Sequence, residues 1–261
     1  EAQSWFPSTA DFVLGPDQYL EQLQKIRKTV AVPVIASLNG MTPGGWIEYA
    51  KLIEQAGAHA IELNLYALPS SSAIDGETLE REQLSIISSV KSMVSIPVGI
   101  KLSAFHSSLP HFAKRIEAMG AAGLILFNQL YQPDINPENQ SLDRVLHLTS
   151  SADLLLRLRW LAILSAETRL SLAVSGGVHD ARDAVKALMA GANGVQMVSE
   201  LLKNGPRRIA GVRDGLVAFM QEHEFSSLKQ LIGSMNLKRC PDPSGYERAN
   251  YVKLLQGWHH A

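Results

Sequence analysis

Leu170-Ser171-Leu172-Ala173-Val174-Ser175-Gly176-Gly177-Val178, followed one helix-length later by Gly194-Val195-Gln196-Met197-Val198-Ser199, is the stretch whose reading decides the fold. Each half is a short apolar run that ends in a turn of small residues. Between them, Asp180 to Ala190 carries apolar residues at helical spacing (Ala184, Val185, Leu188), and Gly191 is placed to stop the helix. Two consecutive strands that open helices through bare-backbone turns aim N–H groups and positive helix ends at one point, which suits a phosphate-sized anion. The last two strands of a (β/α)8 barrel frequently build a phosphate site in this way. A lone Gly176-Gly177 pair would signify only a tight turn; the agreement of two adjacent turns carries the inference.

Outward from that pair, helix and strand signals alternate along the chain. Helices are expected over Asp17 to Lys28, Trp46 to Gln55, Gly76 to Met93, Leu109 to Met119 and Ala152 to Ala166. Strands are expected over Val32 to Leu38, Ala58 to Leu65, Ile96 to Leu102 and Gly123 to Phe127. Few polar residues interrupt the strands and a helix follows each, which implies parallel pairing with helices outside. A Pro/Asn/Asp-rich loop from Gln129 to Ser151 is too long for a plain connector and reads as a lid. The C-terminal segment 206–261 reads as helical: Pro206 to Glu222, Ser226 to Met235 and Tyr246 to Gln256. No linker divides the chain, so residues 1–261 form one expected domain. About six strands are readable, against eight in a closed barrel. The expected fold is therefore α/β, a (β/α)8 TIM barrel lacking its first two β/α units in this chain.

Composition narrows the function. The 261 residues are 46% hydrophobic, enough for a large core, and the net charge of −1 shows no basic stripe for nucleic acid or an anionic membrane. The single cysteine, Cys240, excludes an internal disulfide framework and any cysteine-built zinc or iron–sulfur site within this chain, and no metal site is expected. No stretch is long enough to span a bilayer, and the expected location is the cytoplasm. The helix over 154–164 and the loop before it form a candidate surface for a homodimer.

The C-terminal ends of barrel strands carry the chemistry. Here they deliver Asn39, Asn64 followed by Tyr66, Lys101, Asn128 and the two turns. Amides and one lysine around a phosphate pocket suit a planar, amide-rich ring. A flavin fits, because its reduction places negative charge at the N1/C2=O edge, which an ammonium stabilises. A barrel isomerase, synthase or lyase would predict a carboxylate at a strand end instead. No obvious one is readable, Glu62 being taken as directed away from the pocket.

Ile61-Glu62-Leu63-Asn64-Leu65, Val98-Gly99-Ile100-Lys101-Leu102, Leu126-Phe127-Asn128, Ser175-Gly176-Gly177-Val178 and Gln196-Met197-Val198-Ser199 together resemble the dihydroorotate dehydrogenase family of FMN-dependent (β/α)8 barrels. The resemblance implies an oxidoreductase of pyrimidine biosynthesis acting on a small-molecule ring. It implies that Asn64 contacts flavin or substrate, that Lys101 lies at the flavin N1/O2 edge and that Asn128 binds the substrate ring. Ser175, Gly176 and Gly177 would hold the FMN phosphate from one side. Val198 and Ser199, standing where the family commonly has Gly-Thr, would hold it from the other. Asn39 falls on a strand end that faces the flavin in such enzymes.

One departure bears on catalysis. After Asn64-Leu65 the family reads Ser-Cys-Pro-Asn, or Ser in place of Cys, and that residue takes the substrate proton. Here the segment reads Tyr66-Ala67-Leu68-Pro69. Ala67 accepts no proton, and a missing general base removes about 10²–10⁴-fold in rate. Tyr66 is the candidate catalytic substitute and His106 a second one. The alternatives left open are a flavin barrel with a different substrate and a non-catalytic flavin-binding protein. Arg157 and Arg159 are expected to rim an apolar helix face, and Cys240 to pack.

Overall fold

The computed structural model of the chain describes residues 15–39, 43–65, 67–129, 132–143, 145–247 and 256–257. Six parallel strands form one sheet: β1 (Ile35–Leu38), β2 (Ala60–Asn64), β3 (Val98–Leu102), β4 (Gly123–Leu126), β7 (Ser171–Ser175) and β8 (Gly194–Gln196). They lie in chain order, β1-β2-β3-β4-β7-β8, as successive right-handed β/α units require. Helices α1 (Pro16–Thr29), α2 (Pro43–Gln55), α3 (Gly76–Met93), α4 (Leu109–Ala118), α5 (Leu154–Glu167) and α6 (Ala181–Ala190) precede or link these strands. The sheet curls into part of a TIM barrel, six strands of the eight.

Sequence explains the two faces of the sheet. In β3, Val98, Ile100 and Leu102 point outward and are fully buried beneath helices, whereas Gly99 and Lys101 point inward. Ile53 of α2, Ile87 of α3 and Phe112 and Ile116 of α4 close over the outer face, each fully buried. β4 is buried at all four positions, which is why it reads as a continuous apolar run. Register then aligns the inner face. Asn64 pairs with Lys101, Lys101 with Ile125, Ile125 with Ala173 and Ala173 with Gly194.

Helix ends carry their expected signals. Asp75 caps α3 by accepting from the Thr78 N–H at 2.7 Å, and Asp180 caps α6 through the Asp183 N–H at 2.9 Å. Gly191 ends α6 at φ +123°. At the free side of β1, the Tyr19 hydroxyl of α1 bonds both the N–H and the C=O of Ser37, at 3.1 Å each.

Three expectations are corrected. The expected strand over Val32 to Leu38 is laddered only from Ile35. The long loop after β4 contains an antiparallel hairpin, β5 (Asp134–Asn136) and β6 (Ser141–Asp143). The helix expected over Ser226 to Met235 ends at Leu231 as α9 (Leu228–Leu231), because the Gly233 and Met235 N–H groups turn to the Leu188 and Met189 carbonyls of α6. The remaining C-terminal helices are α7 (Ser199–Asn204), α8 (Arg208–Glu222) and α10 (Ser244–Glu247). Most of the helix expected over Tyr246 to Gln256 lies outside the described residues.

Candidate functional site

One cavity of about 240 Å³ opens at the C-terminal ends of the strands. Lys101, Asn128, Ser175, Gly176, Val198 and Ser199 line it, so the structure brings six of the expected residues together. Its size lies near the lower bound of roughly 300 Å³ for small-molecule sites, which suits part of a mononucleotide. A second cavity, of about 280 Å³, lies near the start of β7 with Arg169 and Asn193 on its wall. In barrels the start-of-strand face serves stability rather than catalysis.

Lys101 does not stand free at the first end of the cavity. Its Nζ donates to Glu62 Oε1 at 3.1 Å and to Gln196 Oε1 at 3.2 Å. Gln196 Nε2 in turn donates to Glu62 Oε2 at 2.5 Å. Glu62 is therefore directed inward, on the same face of β2 as Asn64, and the expectation that it points away is corrected. A two-residue period puts positions 62 and 64 on one side of any regular strand, and that was the signal available. The register partner of Glu62 is Gly99, which adds no side chain on that face. Tyr19 lies on the same side. Burial raises its phenol above the usual value, the hydrogen bond with Ser37 opposes that, and the Glu62 charge adds to the rise.

Asn64 joins this end through Asn128, whose Nδ2 donates to Asn64 Oδ1 at 3.0 Å. Both side chains are half-buried. Asn39 is exposed just past β1 and is not among the residues lining the cavity. Tyr66 lies outside the described residues, while Ala67 beside it is half-buried and offers only a methyl group.

The second end is built from backbone. Gly176 and Gly177 adopt φ +88° and +82°, conformations that residues with a Cβ rarely adopt. A Cβ on Gly177 would come within 2.4 Å of the Leu154 nitrogen, so α5 presses on the turn from behind. Arg157 of α5 does the same at Gly176. It is 5% exposed, and its Nε donates to Ser175 O at 2.5 Å while Nη1 donates to Asp153 O at 2.6 Å. Burial lowers the pKa of its guanidinium, and Asp153 opposes that shift. Arg157 was expected on a helix rim; it is instead a strut beneath the turn. Arg159 is exposed, as a rim residue should be.

The long loop between β4 and α5 completes this end. Buried Thr149 accepts from the Gly177 N–H at 3.2 Å, and its own N–H and hydroxyl donate to Ser199 Oγ at 3.1 and 2.9 Å. Thr149 thus bridges the two turns, a role that nothing in the loop's sequence announces. Below them, His179 Nδ1 meets Glu200 Oε2 at 3.2 Å and Arg208 Nε donates to Glu200 Oε1 at 2.6 Å. Those hydrogen bonds, the one from Arg208 foremost, hold the Glu200 carboxyl below its ordinary range.

An anionic ligand fits this donor set. Among the described residues no carboxylate lines the cavity, the Glu62 carboxylate being held behind on Lys101, whereas Lys101, Gly176 and the Ser199 hydroxyl do line it; the Gly177 N–H beside them is taken up by Thr149. The N-terminus of α6 is occupied by its own cap, Asp180, so the turn itself carries the expectation of phosphate binding. His106 is stacked on Phe112 at 4.8 Å rather than lining the cavity, and burial lowers its pKa against the opposing charge of Glu80. Cys240 is buried, as a packing residue would be. Among the described residues, no cluster of three His, Cys, Asp or Glu could hold a metal, and no helix is long and apolar enough to cross a membrane.

Comparison with known proteins agrees with this geometry. The family model described as dihydroorotate dehydrogenase matches residues 13–220. A protein of Aeropyrum pernix assigned as dihydroorotate dehydrogenase A (fumarate) is 32% identical over 221 residues, 82% of this chain and 71% of that relative. The catalytic subunit of dihydroorotate dehydrogenase B (NAD(+)) of Methanothermobacter thermautotrophicus is 28% identical over 226 residues, covering 84% and 73%. The corresponding subunit of Endomicrobium trichonymphae is 29% identical over 231 residues, covering 87% and 74%. A match over most of the chain, on a partial barrel whose strand ends converge on one anion-tolerant cavity, leads to one assignment: the chain belongs to the dihydroorotate dehydrogenase family.

Proposed function

We propose that the chain is an FMN-dependent oxidoreductase acting on the CH–CH bond of a small planar ring such as dihydroorotate. The observation that carries this reading is the cavity with Lys101 at one end and the Gly176 and Ser199 turns at the other, with no carboxylate among the described residues of its lining. Flavin chemistry, when FMN is bound, is exchange of a hydride at N5.

The chain's own residues have distinct tasks in this reading. Lys101 presents its ammonium to the N1/O2 edge of the flavin, where negative charge collects. Glu62 and Gln196 accept two of its three N–H bonds, which leaves one for the ligand. Asn128 spends one donor on Asn64, so that, among the described residues, the Asn64 amide N–H groups and the Asn128 carbonyl remain to orient the substrate ring. Asn39 is assigned to the flavin side. Ser175, Gly176, Gly177, Val198 and Ser199 hold the phosphate, and Thr149 joins them through Gly177 and Ser199. The Ser199 oxygen accepts twice from Thr149, so its own proton is available to an anion.

Proton removal from the substrate is assigned to Tyr66, the hydroxyl-bearing neighbour of Ala67. A phenol with its usual pKa near 10 is a weak base. Ala67 itself favours a second reading, a flavin barrel specific for another ring or without turnover. One domain over residues 1–261, a cytoplasmic site of action and a homodimer complete the proposal.

The visible spectrum of the purified protein tests the cofactor. A yellow protein that retains FMN through desalting is expected, and a colourless protein in excess FMN would remove the reading. Anaerobic bleaching by dihydroorotate, against a panel of other dihydropyrimidines, separates the two substrate readings.

A further inference from the structure

Lys101, Glu62 and Gln196 form a closed ring of hydrogen bonds that crosses the barrel interior. Glu62 stands on β2 and Gln196 on β8, with β3, β4 and β7 between them in the sheet. Only the curl of the sheet brings them to 2.5 Å. The side chains of Lys101 and Glu62 are 15% and 11% exposed, so solvent screens this pair little. A carboxylate this close cancels much of the field that the ammonium projects toward a neighbouring ring. A structural pair alone would not require a third group to bond both partners. Gln196 does so, fixing the ammonium and the carboxylate in one arrangement.

We infer that Glu62 is a positioning residue that, with Gln196, fixes the Lys101 ammonium and offsets part of its charge, so that a flavin beside it is a stronger reductant than Lys101 alone would make it. This rests on the flavin reading above. Without Glu62 the ammonium would stabilise the negative charge of the reduced ring in full. Gln196 carries no charge and sets geometry only.

Sulfite binding and the midpoint potential of the FMN-loaded protein test the inference. Sulfite adds to flavin N5 through its sulfur lone pair, and the ring takes up the resulting negative charge. It therefore reports charge stabilisation without any substrate turnover. In Glu62→Gln, sulfite is expected to bind on the order of tenfold more tightly. The midpoint potential should rise in parallel, by about 30 mV for a tenfold change in a two-electron couple. Glu62→Asp, which draws the carboxylate back by one methylene, should move both readouts in the same direction and by less. It also serves if Glu62→Gln does not fold. Unchanged or weaker sulfite binding in these variants, with FMN still bound, overturns the inference and leaves the flavin reading standing. A wild-type protein that takes up no FMN overturns both.

Discussion

The two ends of the cavity are built by different means. At the Lys101 end, three side chains from three strands hold one another, and none is on a neighbouring turn. At the Gly176 end, two backbone turns are held in place, from behind by α5 and from the front by Thr149. A side-chain cluster can be retuned one group at a time while the barrel around it stands. A backbone seat cannot, because its shape and the packing of α5 are the same thing. Substitutions should therefore separate the ends: loss of fold and ligand at one, altered chemistry at the other.

The sharpest way to break that contrast is Gly177→Ala. Its Cβ would meet backbone atoms of Leu154 at 2.4 and 2.7 Å in a conformation with φ +82°. We expect destabilisation of about 3 kcal/mol or more, from strain and overpacking together, with loss of FMN retention. Urea denaturation and flavin content after desalting measure both. Gly176→Ala sharpens the comparison. There the obstacle is the Arg157 side chain, at 2.8 Å, which can move where backbone cannot. The expected loss is smaller, about 1–2 kcal/mol. Equal effects at the two glycines would show that backbone strain alone, and not contact with α5, governs this end.

Matched single deletions probe each end more gently. Thr149→Val removes the hydroxyl that links Gly177 to Ser199 and should weaken FMN binding by about 1 kcal/mol, with the spectrum of bound flavin unchanged. Asn128→Ala removes the donor to Asn64 and should leave FMN binding intact while raising the substrate KM by about tenfold. Titration of apoprotein with FMN, and steady-state kinetics with dihydroorotate, distinguish them. If Asn128→Ala releases FMN instead, the division of labour between the two ends is wrong.

The smallest effect is a pH dependence beneath the backbone end. Hydrogen bonds from Arg208, Asn204 and His179 depress the Glu200 pKa in the folded protein. The unfolded chain therefore binds the Glu200 proton more readily. The stabilisation is complete above the ordinary carboxylate pKa of about 4.3, and is lost as pH falls through the depressed value. Wild type should exceed Glu200→Gln in stability at neutral pH, and the gap should close in acid. Urea denaturation of both proteins from neutral to acidic pH checks the sign.

Much of this molecule is legible in its sequence, for reasons that differ by element. α3 runs from Gly76 to Met93 as expected, because an acidic cap and a long apolar period mark it. The turn at Gly176-Gly177 is legible because only glycine takes those dihedrals easily. Lys101 is legible as a lone charge in an apolar strand. Its partners are not: Glu62 and Gln196 lie 39 and 95 residues away, and only sheet curvature unites them. Thr149 and Arg157 escape for another reason. The long loop before α5 has no period to read, and an arginine amid leucines looks like a rim until α5 is laid against the β7 turn. The early end of α9 reflects docking on α6, a tertiary choice that local propensity does not contain.

Arg157 has one more effect. Its guanidinium lies behind the Gly176 turn, 5% exposed, and is not among the residues lining the cavity. Mobile ions cannot gather around a charge enclosed in this way, so under the proposed phosphate reading its pull on a phosphoryl group across the turn would not fade with ionic strength as that of a surface lysine would. A nucleotide seated there should stay bound in concentrated salt, its grip supplied through the main chain by a residue it never meets.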